Sequence, residues 1–393
     1  MAKRRAAPSQ KNSTARIWMA MGLSITFSLN FILLYLFHPK HKNILFKSTS
    51  RDSPSSEKGK DGCFAFGCPI YPAELTPYLH ELIGEIFVNQ TRWNDFNFGS
   101  SEYALLTQRG QSHFVNQDRA VLVSPFTTAA TTNGEPSFLV GVFDGHGQQG
   151  HNVASHIARE LPERLAEELN SLSQIDDEAI VKALNKTVVE VDIYAPPNFL
   201  LGGSTASITL RRGSKLYIAN TGDSKTAVVS LPSTKSLGRP LTPEDTSIVY
   251  KTREDKATLP NEYARIKALN GTIHINPKTN DSRVVLLSAA ARDTIGLAMS
   301  RSLGDWEWKA VGVTAEPLID IIDLSKHPNA FLIAASDGMW GMRRDQYFAK
   351  QFSESFYVGK KRPLFQVWDV IKKITPKVQK GYRDDMTAII VKL

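Results

Sequence analysis

Acidic residues directly follow or precede three strongly apolar runs of this sequence. Phe138–Phe143 reads FLVGVF and is followed at once by Asp144. A second run, FLIAAS, ends in Asp337, and Asp384 comes just before the run MTAIIVKL. A buried carboxylate is unfavourable unless something neutralises it. Several carboxylates gathered at one edge of a sheet therefore predict bound cations at that edge.

Hard divalent ions fit these residue types best. Asp118 adds a further carboxylate next to another apolar run. Mg²⁺ and Mn²⁺ prefer carboxylate, carbonyl and water oxygens, and Mg²⁺ keeps several waters, so few protein ligands suffice. Zinc is disfavoured because the histidines show no ligand spacing and the only cysteines, Cys63 and Cys68, lie near the N-terminal region.

Two hard divalent ions bound close together can promote hydrolysis of a phosphoester. Two cations about 3.5 to 4 Å apart lower the pKa of a shared water and bind phosphoryl oxygens, so hydroxide attacks in line without a covalent intermediate. His146 follows the first acidic pair and is a candidate proton donor to the leaving alkoxide, because imidazole carries a transferable proton near pH 7.

Short strands and a few long amphipathic helices must position these residues. The predicted strands are Tyr103–Thr107, Arg119–Ser124, Phe138–Phe143, Ser204–Leu210, Lys215–Ala219, Thr226–Ser230, Phe331–Ser336 and Met386–Leu393. The predicted helices are Glu74–Val88, His151–Leu172, Asp177–Asp192, Asn261–Asn270, Arg344–Phe356 and Pro363–Val378. Consecutive strands are often separated by only a turn, which favours antiparallel pairing and an α+β class.

The positive charge of the chain is concentrated at its N-terminal end. The 393 residues carry a formal net charge of +8, with 22% charged and 42% apolar residues, as in folded globular proteins. Residues 1–60 alone contribute +9, which leaves −1 for residues 61–393. A basic face for nucleic acid on the folded part is therefore not predicted.

Residues 17–37 form an apolar segment with no ionisable side chain, IWMAMGLSITFSLNFILLYLF. As a helix it is long enough to cross a hydrocarbon core of roughly 30 Å, so we expect a single-pass membrane anchor. Its basic flanks are nearly balanced and do not fix its orientation. An acid-free N-terminus is also typical of mitochondrial presequences, so both the mitochondrial inner membrane and a secretory-pathway membrane remain open.

The pattern along the chain predicts five regions. They are a basic tail (1–16), the anchor (17–37), a polar tether (38–62), a leader segment with a helix (63–98) and a large catalytic domain (99–393). Cys63 and Cys68 open the leader segment, and whether they form a disulfide depends on which side of the membrane they face.

Six motifs in fixed order resemble those of the metal-dependent type 2C protein serine/threonine phosphatases. They are FDGHG at 143–147, GGSTA at 202–206, ANTGDSK at 219–225, SRSLGDWEWK at 300–309, ASDGMWG at 335–341 and RDDMTAIIV at 383–391. The resemblance covers residues 100 to 393 and implies a β-sandwich of two antiparallel sheets flanked by helices, with a binuclear Mn²⁺ or Mg²⁺ centre at one end.

The resemblance also implies roles for single residues. Asp144 would bridge the two metals, the Gly145 carbonyl would bind one of them, and Asp337 with Asp384 would bind the other. Asp223 would lie near a third, weaker metal position. His146 resembles the family's general acid. Gly203, Ser204 and Thr205 resemble structural residues that set a strand of the central sheet. The long stretch from Pro232 to Asp293 resembles the family's flap, which shapes substrate choice.

Two positions depart from the family's pattern. The family places Glu immediately before Asp118, to engage a metal-bound water, and Arg five residues before it, to engage the substrate phosphate. Gln117 and His113 occupy these positions here. Glutamine is uncharged and histidine lacks the bidentate fork of arginine, so Arg109 is a second candidate for the phosphate contact.

Three functions follow from these features. The first is a membrane-anchored phosphatase acting on phosphoserine and phosphothreonine in proteins, and the second is a pseudophosphatase that serves as a membrane-bound binding module, because of His113 and Gln117. The third is hydrolysis of a small phosphoester. The predicted partners are phosphorylated proteins and a membrane, without nucleic acid.

Overall fold

A computed structural model describes residues 86–87, 102–110, 115–126, 128, 135–193, 195, 202–233, 237–327, 329–358, 363–374 and 383–393. All of them belong to one unit, Phe66–Leu393. The predicted anchor and tether, Cys63, Cys68 and His113 lie outside the described residues. Within the described ranges, no helix combines the length and the apolarity that crossing a bilayer requires.

Strands and helices alternate along the described chain. In chain order the strands are β1 (Ile86–Phe87), β2 (Tyr103–Gln108), β3 (Arg119–Val123), β4 (Ser137–Phe143), β5 (Gly145–Gly147), β6 (Gly202–Ser204), β7 (Ala206–Arg212), β8 (Lys215–Thr221), β9 (Lys225–Ser230), β10 (Ser247–Lys251), β11 (Thr272–Ile275), β12 (Ser282–Ser288), β13 (Asp293–Leu297), β14 (Leu303–Gly304), β15 (Leu318–Asp323), β16 (Ala330–Ala335) and β17 (Met386–Lys392).

Along the sequence, most helices come between two strands. They are α1 (Gly150–Ser171), α2 (Asp177–Ile193), α3 (Pro260–Ala268), α4 (Trp306–Lys309), α5 (Asp337–Trp340), α6 (Asp345–Ser353) and α7 (Pro363–Ile374). Short 3₁₀ turns occupy Pro243–Asp245 and Leu324–Lys326, and a π-helical turn, Glu354–Val358, follows α6.

Two large sheets form the framework. One has the strand order β1-β3-β4-β7-β8-β15 and the other β10-β9-β16-β17-β2. Every pair in them is antiparallel except β1 with β3, which is parallel. The α+β class with antiparallel sheets and helices is therefore confirmed.

Successive side chains of β3 belong to two different apolar cores. Ala120 and Leu122 belong to the apolar core that also contains the strands of the second sheet. Val121 and Val123 belong to the core that contains α1 and α2. Because successive side chains of a strand point to opposite faces, β3 is buried on both sides. This explains why β3 is a nearly continuous apolar run in the sequence.

Strand topology brings the predicted carboxylates to one end of this framework. β16 pairs with β17 in antiparallel register, with Ala335 opposite Ala388. The end of β16 therefore lies beside the start of β17, which places Asp337 near Asp384. β4, in the other sheet, delivers Asp144 directly after its last residue.

Two small sheets surround this end. The first, β14-β6-β5, contains Gly203 and Ser204, so these residues do not form a strand of the central sheet as the resemblance implied. The predicted strand Ser204–Leu210 is interrupted at Thr205, because Thr205 turns to bond Asp144. The second, β11-β12-β13, is called the flap sheet below.

The predicted elements match the described ones apart from their ends, with two larger differences. Ile86–Phe87 pairs with β3 as a strand and does not end the predicted helix Glu74–Val88, whose other residues lie outside the described part of the chain; a short apolar run suits either element, and an open sheet edge offers pairing. The region Pro232–Asp293, expected as a flap with loops, contains β10, α3 and most of the flap sheet.

Candidate metal centre and active site

Asp144 is held in place by two backbone contacts at the end of β4. Its amide N donates to Thr205 Oγ1 at 3.0 Å, and the Thr205 amide N donates to the Asp144 carbonyl at 2.9 Å. Thr205 Oγ1 is also within 2.6 Å of Ser224 Oγ, next to Asp223. The GGSTA and TGDS motifs thus position the aspartate of FDGHG.

Asp337 and Asp384 are brought together by close backbone packing. Asp337 begins α5 immediately after β16, and the Ser336 amide N donates to the Thr387 carbonyl of β17 at 3.0 Å. Gly338 lies so close to the neighbouring backbone that an added Cβ would collide with the Asp385 carbonyl and come within 3.1 Å of Asp384 Cβ. Glycine after Asp337 is therefore a requirement of this packing.

The predicted carboxylates influence one another strongly. Burial, followed by the charges of Asp118, Asp337, Asp384 and Asp223, raises the pKa of Asp144 well above its usual range. These effects need short distances in a poorly solvated setting. The structure therefore gathers all five acidic residues of the sequence prediction at one place.

Asp337 interacts with three other carboxylates of this group, Asp144, Asp223 and Asp384. Burial, then the charges of Asp223 and Asp384, raises the pKa of Asp337 to about 7, although a hydrogen bond with Asp144 acts in the opposite direction. Two carboxyl groups that share a hydrogen bond must hold a proton between them unless a cation takes its place. The pair is thus a suitable setting for a cation.

Asp118 is buried deeper than the other carboxylates. It is 1% exposed, and Ser336 Oγ donates to its Oδ2 at 2.7 Å. Burial, then the charges of Asp385 and Asp384, raises its pKa to about 8. Its Oδ1 has no hydrogen-bond partner among the described residues. A buried carboxylate oxygen without a partner is expected where a bound water or ion completes the site.

Asp385 fixes the segment that carries Gln117 and Asp118. Its two carboxylate oxygens accept from the Gly110 amide N at 2.5 Å and from the Gln117 amide N at 2.7 Å. In the sequence, Asp385 directly follows Asp384 within the motif RDDMTAIIV, and nothing in the motif indicates a separate role for it. Its partners are backbone groups far away in sequence, which no local pattern reveals.

Gln117 holds the FDGHG loop through a contact that glutamate cannot make. Its side-chain Nε2 donates to the Gly147 carbonyl at 2.8 Å. Gly145 lies against the same segment, since a Cβ there would come within 2.6 Å of the Gln117 carbonyl oxygen. An ionised carboxylate has no proton to donate to a carbonyl, so this departure from the family pattern has a structural use here.

His146 has a partner that the sequence analysis missed. Its Nε2 lies 2.7 Å from Asp305 Oδ2, and Asp305 is only 2% exposed. Burial alone would lower the pKa of His146, but the charge and hydrogen bond of Asp305 outweigh it and the pKa is raised. Asp305 ends the SRSLGD motif, so the motif was visible in the sequence while the pairing was not.

Lys256 is a second residue that was missed. Its Nζ donates to Asp223 Oδ2 at 2.7 Å. Burial lowers the pKa of Lys256, but Asp223 and Glu254 raise it above its ordinary value. The ammonium group therefore offsets part of the negative charge of the carboxylate cluster.

Arg109, proposed from the sequence as a phosphate contact, is exposed at the end of β2. Its carbonyl accepts from Arg383 Nη2 at 2.7 Å. Arg109 does not line either of the two clefts that adjoin the carboxylates. The structure does not place it with the site, and His113 lies outside the described residues.

The residues present fit a hard divalent cation. Asp144, Asp337, Asp384 and Asp223 offer only oxygen ligands, and the unpartnered oxygen of Asp118 lies beside them. Among the described side chains, no three His, Cys, Asp or Glu groups form a ready set of ligands around one point. Mg²⁺ and Mn²⁺ accept such a site, because backbone carbonyls and retained waters complete their coordination.

Comparisons with known proteins agree with this geometry. The family model for protein phosphatase 2C matches residues 108–356. Probable protein phosphatase 2C 61 of Arabidopsis thaliana is 28% identical over 283 residues, which is 70% of this chain and 78% of that protein. Probable protein phosphatase 2C 72 of the same plant is 31% identical over 244 residues, 58% of this chain and 66% of that protein.

A solved structure shares the fold. The serine-threonine phosphatase 2C from Toxoplasma gondii matches 74% of this chain and 94% of its own with a TM-score of 0.57, at 17% sequence identity. That identity is too low to compare more than the arrangement of strands and helices. The family match over residues 108–356 shows that the chain belongs to the protein phosphatase 2C family of metal-dependent protein serine/threonine phosphatases.

Proposed function

We propose that this chain hydrolyses phosphoserine and phosphothreonine in proteins, using Mn²⁺ or Mg²⁺ at the carboxylate cluster. Asp144, the Gly145 carbonyl, Asp337 and Asp384 would hold two ions, and Asp223 would adjoin a third, weaker position. The observation that carries this proposal is the burial of Asp144 next to Asp118, Asp337, Asp384 and Asp223, whose charges together with burial raise its pKa. Such a cluster is stable at neutral pH when cations or protons neutralise it.

The chain's own residues supply the rest of the chemistry. When bound, the ions supply an activated water and positive charge for the phosphoryl oxygens. His146, oriented by Asp305 at 2.7 Å, holds a proton next to the cluster for the departing alkoxide of serine or threonine. Gln117 fixes the Gly147 carbonyl at 2.8 Å, which keeps the loop bearing His146 in position.

Mn²⁺-dependent turnover of a phosphopeptide tests the proposal. Asp337→Asn removes one charge of the cluster and should lower kcat by at least about a hundredfold. Asp320→Asn is the matched control, since Asp320 is exposed on β15, away from the carboxylate cluster, and accepts a hydrogen bond from the Tyr250 hydroxyl at 2.8 Å. Equal activity of the wild type and Asp337→Asn would contradict the proposal.

The second candidate is a pseudophosphatase that binds phosphoproteins without hydrolysing them. Gln117 and His113 motivate it, since both replace residues that the family pattern uses for catalysis. Complete inactivity of the correctly folded, Mn²⁺-loaded wild type would favour this candidate. The third candidate, a small-phosphoester hydrolase, would be favoured by faster turnover of free phosphorylated metabolites than of phosphopeptides.

We further propose that residues 17–37 anchor the enzyme in a membrane. The support is their uninterrupted apolar sequence between basic flanks. Import into isolated mitochondria without a glycosidase-sensitive shift in mobility would indicate the mitochondrial inner membrane. A shift after glycosidase treatment would place the phosphatase domain in the lumen of the secretory pathway.

A further inference from the structure

Two clefts lead to the carboxylate cluster from either side of the flap sheet. The polar cleft, about 510 Å³, is lined by Asp223, Lys256 and Asp337 among other polar residues. The apolar cleft, about 340 Å³, is lined by His146, Asp305 and apolar side chains that include Trp308. A phosphorylated residue that reaches both Asp337 and His146 must therefore lie where the two clefts adjoin.

Arg283 lies at that point. It is an exposed residue of β12 whose neighbours Ser282 and Val284 are buried, so its side chain leaves the sheet on the solvent side. Of the described residues that line the two clefts, only Arg283 and Ala298 line both. It is therefore the charged residue common to both clefts.

The neighbouring strand provides room for the Arg283 side chain. Arg283 Nη1 donates to the Gly296 carbonyl on β13 at 3.1 Å. A Cβ at position 296 would lie 3.2 Å from Arg283 Cδ and 3.3 Å from its Cβ. The stem of Arg283 thus lies across Gly296, and a larger residue at this position would displace it.

The charge of Arg283 remains available for a ligand. Lys256, the other strongly basic residue in the polar cleft, is engaged by Asp223 at 2.7 Å. Among the described residues, Arg283 donates one hydrogen bond, to the Gly296 carbonyl, and forms no ion pair with a carboxylate. A guanidinium has five donors in a planar fork that matches phosphate and carboxylate oxygens.

We propose that Arg283 binds an oxyanion of the phosphorylated substrate and thereby determines substrate affinity. This inference rests on the proposed phosphatase function for the identity of the ligand. Arg283 supplies the guanidinium that the chain lacks at position 113, where the family pattern has arginine and this sequence has His113. The oxyanion is either the reacting phosphate or an acidic side chain next to the phosphorylated residue.

Binding of a non-hydrolysable ligand tests the inference apart from catalysis. The full-length protein in Mn²⁺ is titrated with a fluorescent peptide that carries a phosphonate analogue of phosphoserine beside an acidic residue. Arg283→Ala should raise Kd at least about tenfold, as expected for loss of charged hydrogen bonds. Arg283→Lys should retain part of the affinity, and Gly296→Ala should weaken binding in the same direction as Arg283→Ala.

Lys278→Ala is the matched control. Lys278 is an exposed cation in the turn between β11 and β12 and lines neither cleft, so its removal changes the net charge of the same region equally. Kd should stay within about twofold. An unchanged Kd in Arg283→Ala, an equal loss in Lys278→Ala, or no peptide binding by the wild type would overturn the inference.

A second substrate distinguishes the two oxyanions. If Arg283 contacts the reacting phosphate, Arg283→Ala also raises KM for 4-nitrophenyl phosphate about tenfold. If Arg283 contacts an acidic residue next to the phosphorylated one, Arg283→Ala raises KM only for phosphopeptides that carry this acidic residue. An inactive wild type that still binds the phosphonate peptide through Arg283 would refute the proposed phosphatase function and leave the role of Arg283 intact.

Discussion

At the scale of single residues, the position of the His146 imidazole depends on one carboxylate, that of Asp305. Asp305 begins α4 in a left-handed conformation, with φ of 49°. Gly203 allows this approach, since a Cβ there would lie 2.6 Å from His146 Nε2 and would collide with Asp305. Burial works against the ionised form of Asp305, but the charge and hydrogen bond of His146, together with Ser302 and Lys309, outweigh it and lower the pKa of Asp305. Asp305 is thus a charged positioning residue for His146.

Asp305→Asn should lower kcat with little change in KM. The asparagine keeps the size of the side chain but removes the charge that orients His146, so we expect kcat to fall about tenfold or more. Steady-state kinetics with a phosphopeptide measures the effect. In the double variant with His146→Gln, the two losses should be much less than additive, because both act on the same proton. Fully additive losses would contradict the pairing.

At the scale of elements, α3 is joined to the SRSLGD segment by a buried ion network. The side chain of Glu262 is fully buried and accepts from Arg301 Nη2 at 2.9 Å, Arg265 Nη2 at 2.6 Å and Arg253 Nη2 at 2.5 Å. Burial raises the pKa of Glu262, but the arginines outweigh it and hold the pKa at about 2. Removing one partner of such a network is strongly destabilising.

The same network extends to the active site. Arg253 Nε donates to Asp255 Oδ1 at 3.0 Å, and Asp255 Oδ2 accepts from the Gly222 amide N at 2.9 Å. Gly222 precedes Asp223 and has a φ of 102°, which favours glycine. The turn that presents Asp223 is therefore supported from α3 through three charged side chains.

Glu262→Gln should lower the unfolding free energy by about 3 to 5 kcal/mol at neutral pH. Since the pKa of Glu262 is about 2 in the folded state, below its ordinary value of 4.5, the stabilisation is present above about pH 4.5 and is lost as the pH falls toward 2. The difference between wild type and variant should shrink over this range in urea titrations. Glu178→Gln, which removes an exposed pair with Lys182, should change stability by less than about 1 kcal/mol at every pH. A difference that grows on acidification would contradict this assignment.

Apolar runs in the sequence predict the main sheets well. Strands such as β4 and β16 are buried on both faces, so they appear as continuous apolar segments ending in a carboxylate. β10 and β11 could not be found in this way, because neither contains a buried residue: β10 alternates between exposed and partly buried side chains, and three of the four residues of β11 are exposed. Their pairing depends on neighbours distant in sequence.

The candidate site also contains residues that the sequence predicts and residues that it does not. Asp144, Asp337 and Asp384 follow from the ends of apolar strands and from the motifs. Asp305 and Lys256 contribute through partners that are far away in the sequence: His146 Nε2 at 2.7 Å and Asp223 Oδ2 at 2.7 Å. Contacts of this kind are created by folding and leave no periodic signal along the chain.

At the scale of the whole molecule, the charge distribution separates the N-terminal region from the enzyme domain. Residues 1–60 carry +9 and residues 61–393 carry −1, and the apolar segment 17–37 lies within the basic region. This arrangement supports the proposed attachment to a membrane through the N-terminal region, and the candidate site residues that the structure describes all lie in residues 102–393.

Ile25→Asp combined with Phe27→Arg should release the full-length protein from membranes. Each charge placed near the centre of a spanning helix costs about 2.5 to 3.5 kcal/mol. Extraction of membranes with alkaline carbonate measures the attachment, and the wild type should stay in the pellet. The control Lys40→Gln with Lys42→Gln changes only the flank and should stay there too. A wild type found in the supernatant would contradict the anchor.

Binding of Mn²⁺ to the full-length protein, followed by electron paramagnetic resonance of the free ion, tests the central claim most directly. The wild type should bind Mn²⁺, and Asp144→Asn and Asp337→Asn should weaken binding at least about tenfold with unchanged circular dichroism. Equal Mn²⁺ affinity in the wild type and both variants, or no binding by the folded wild type, would contradict a metal centre at this carboxylate cluster.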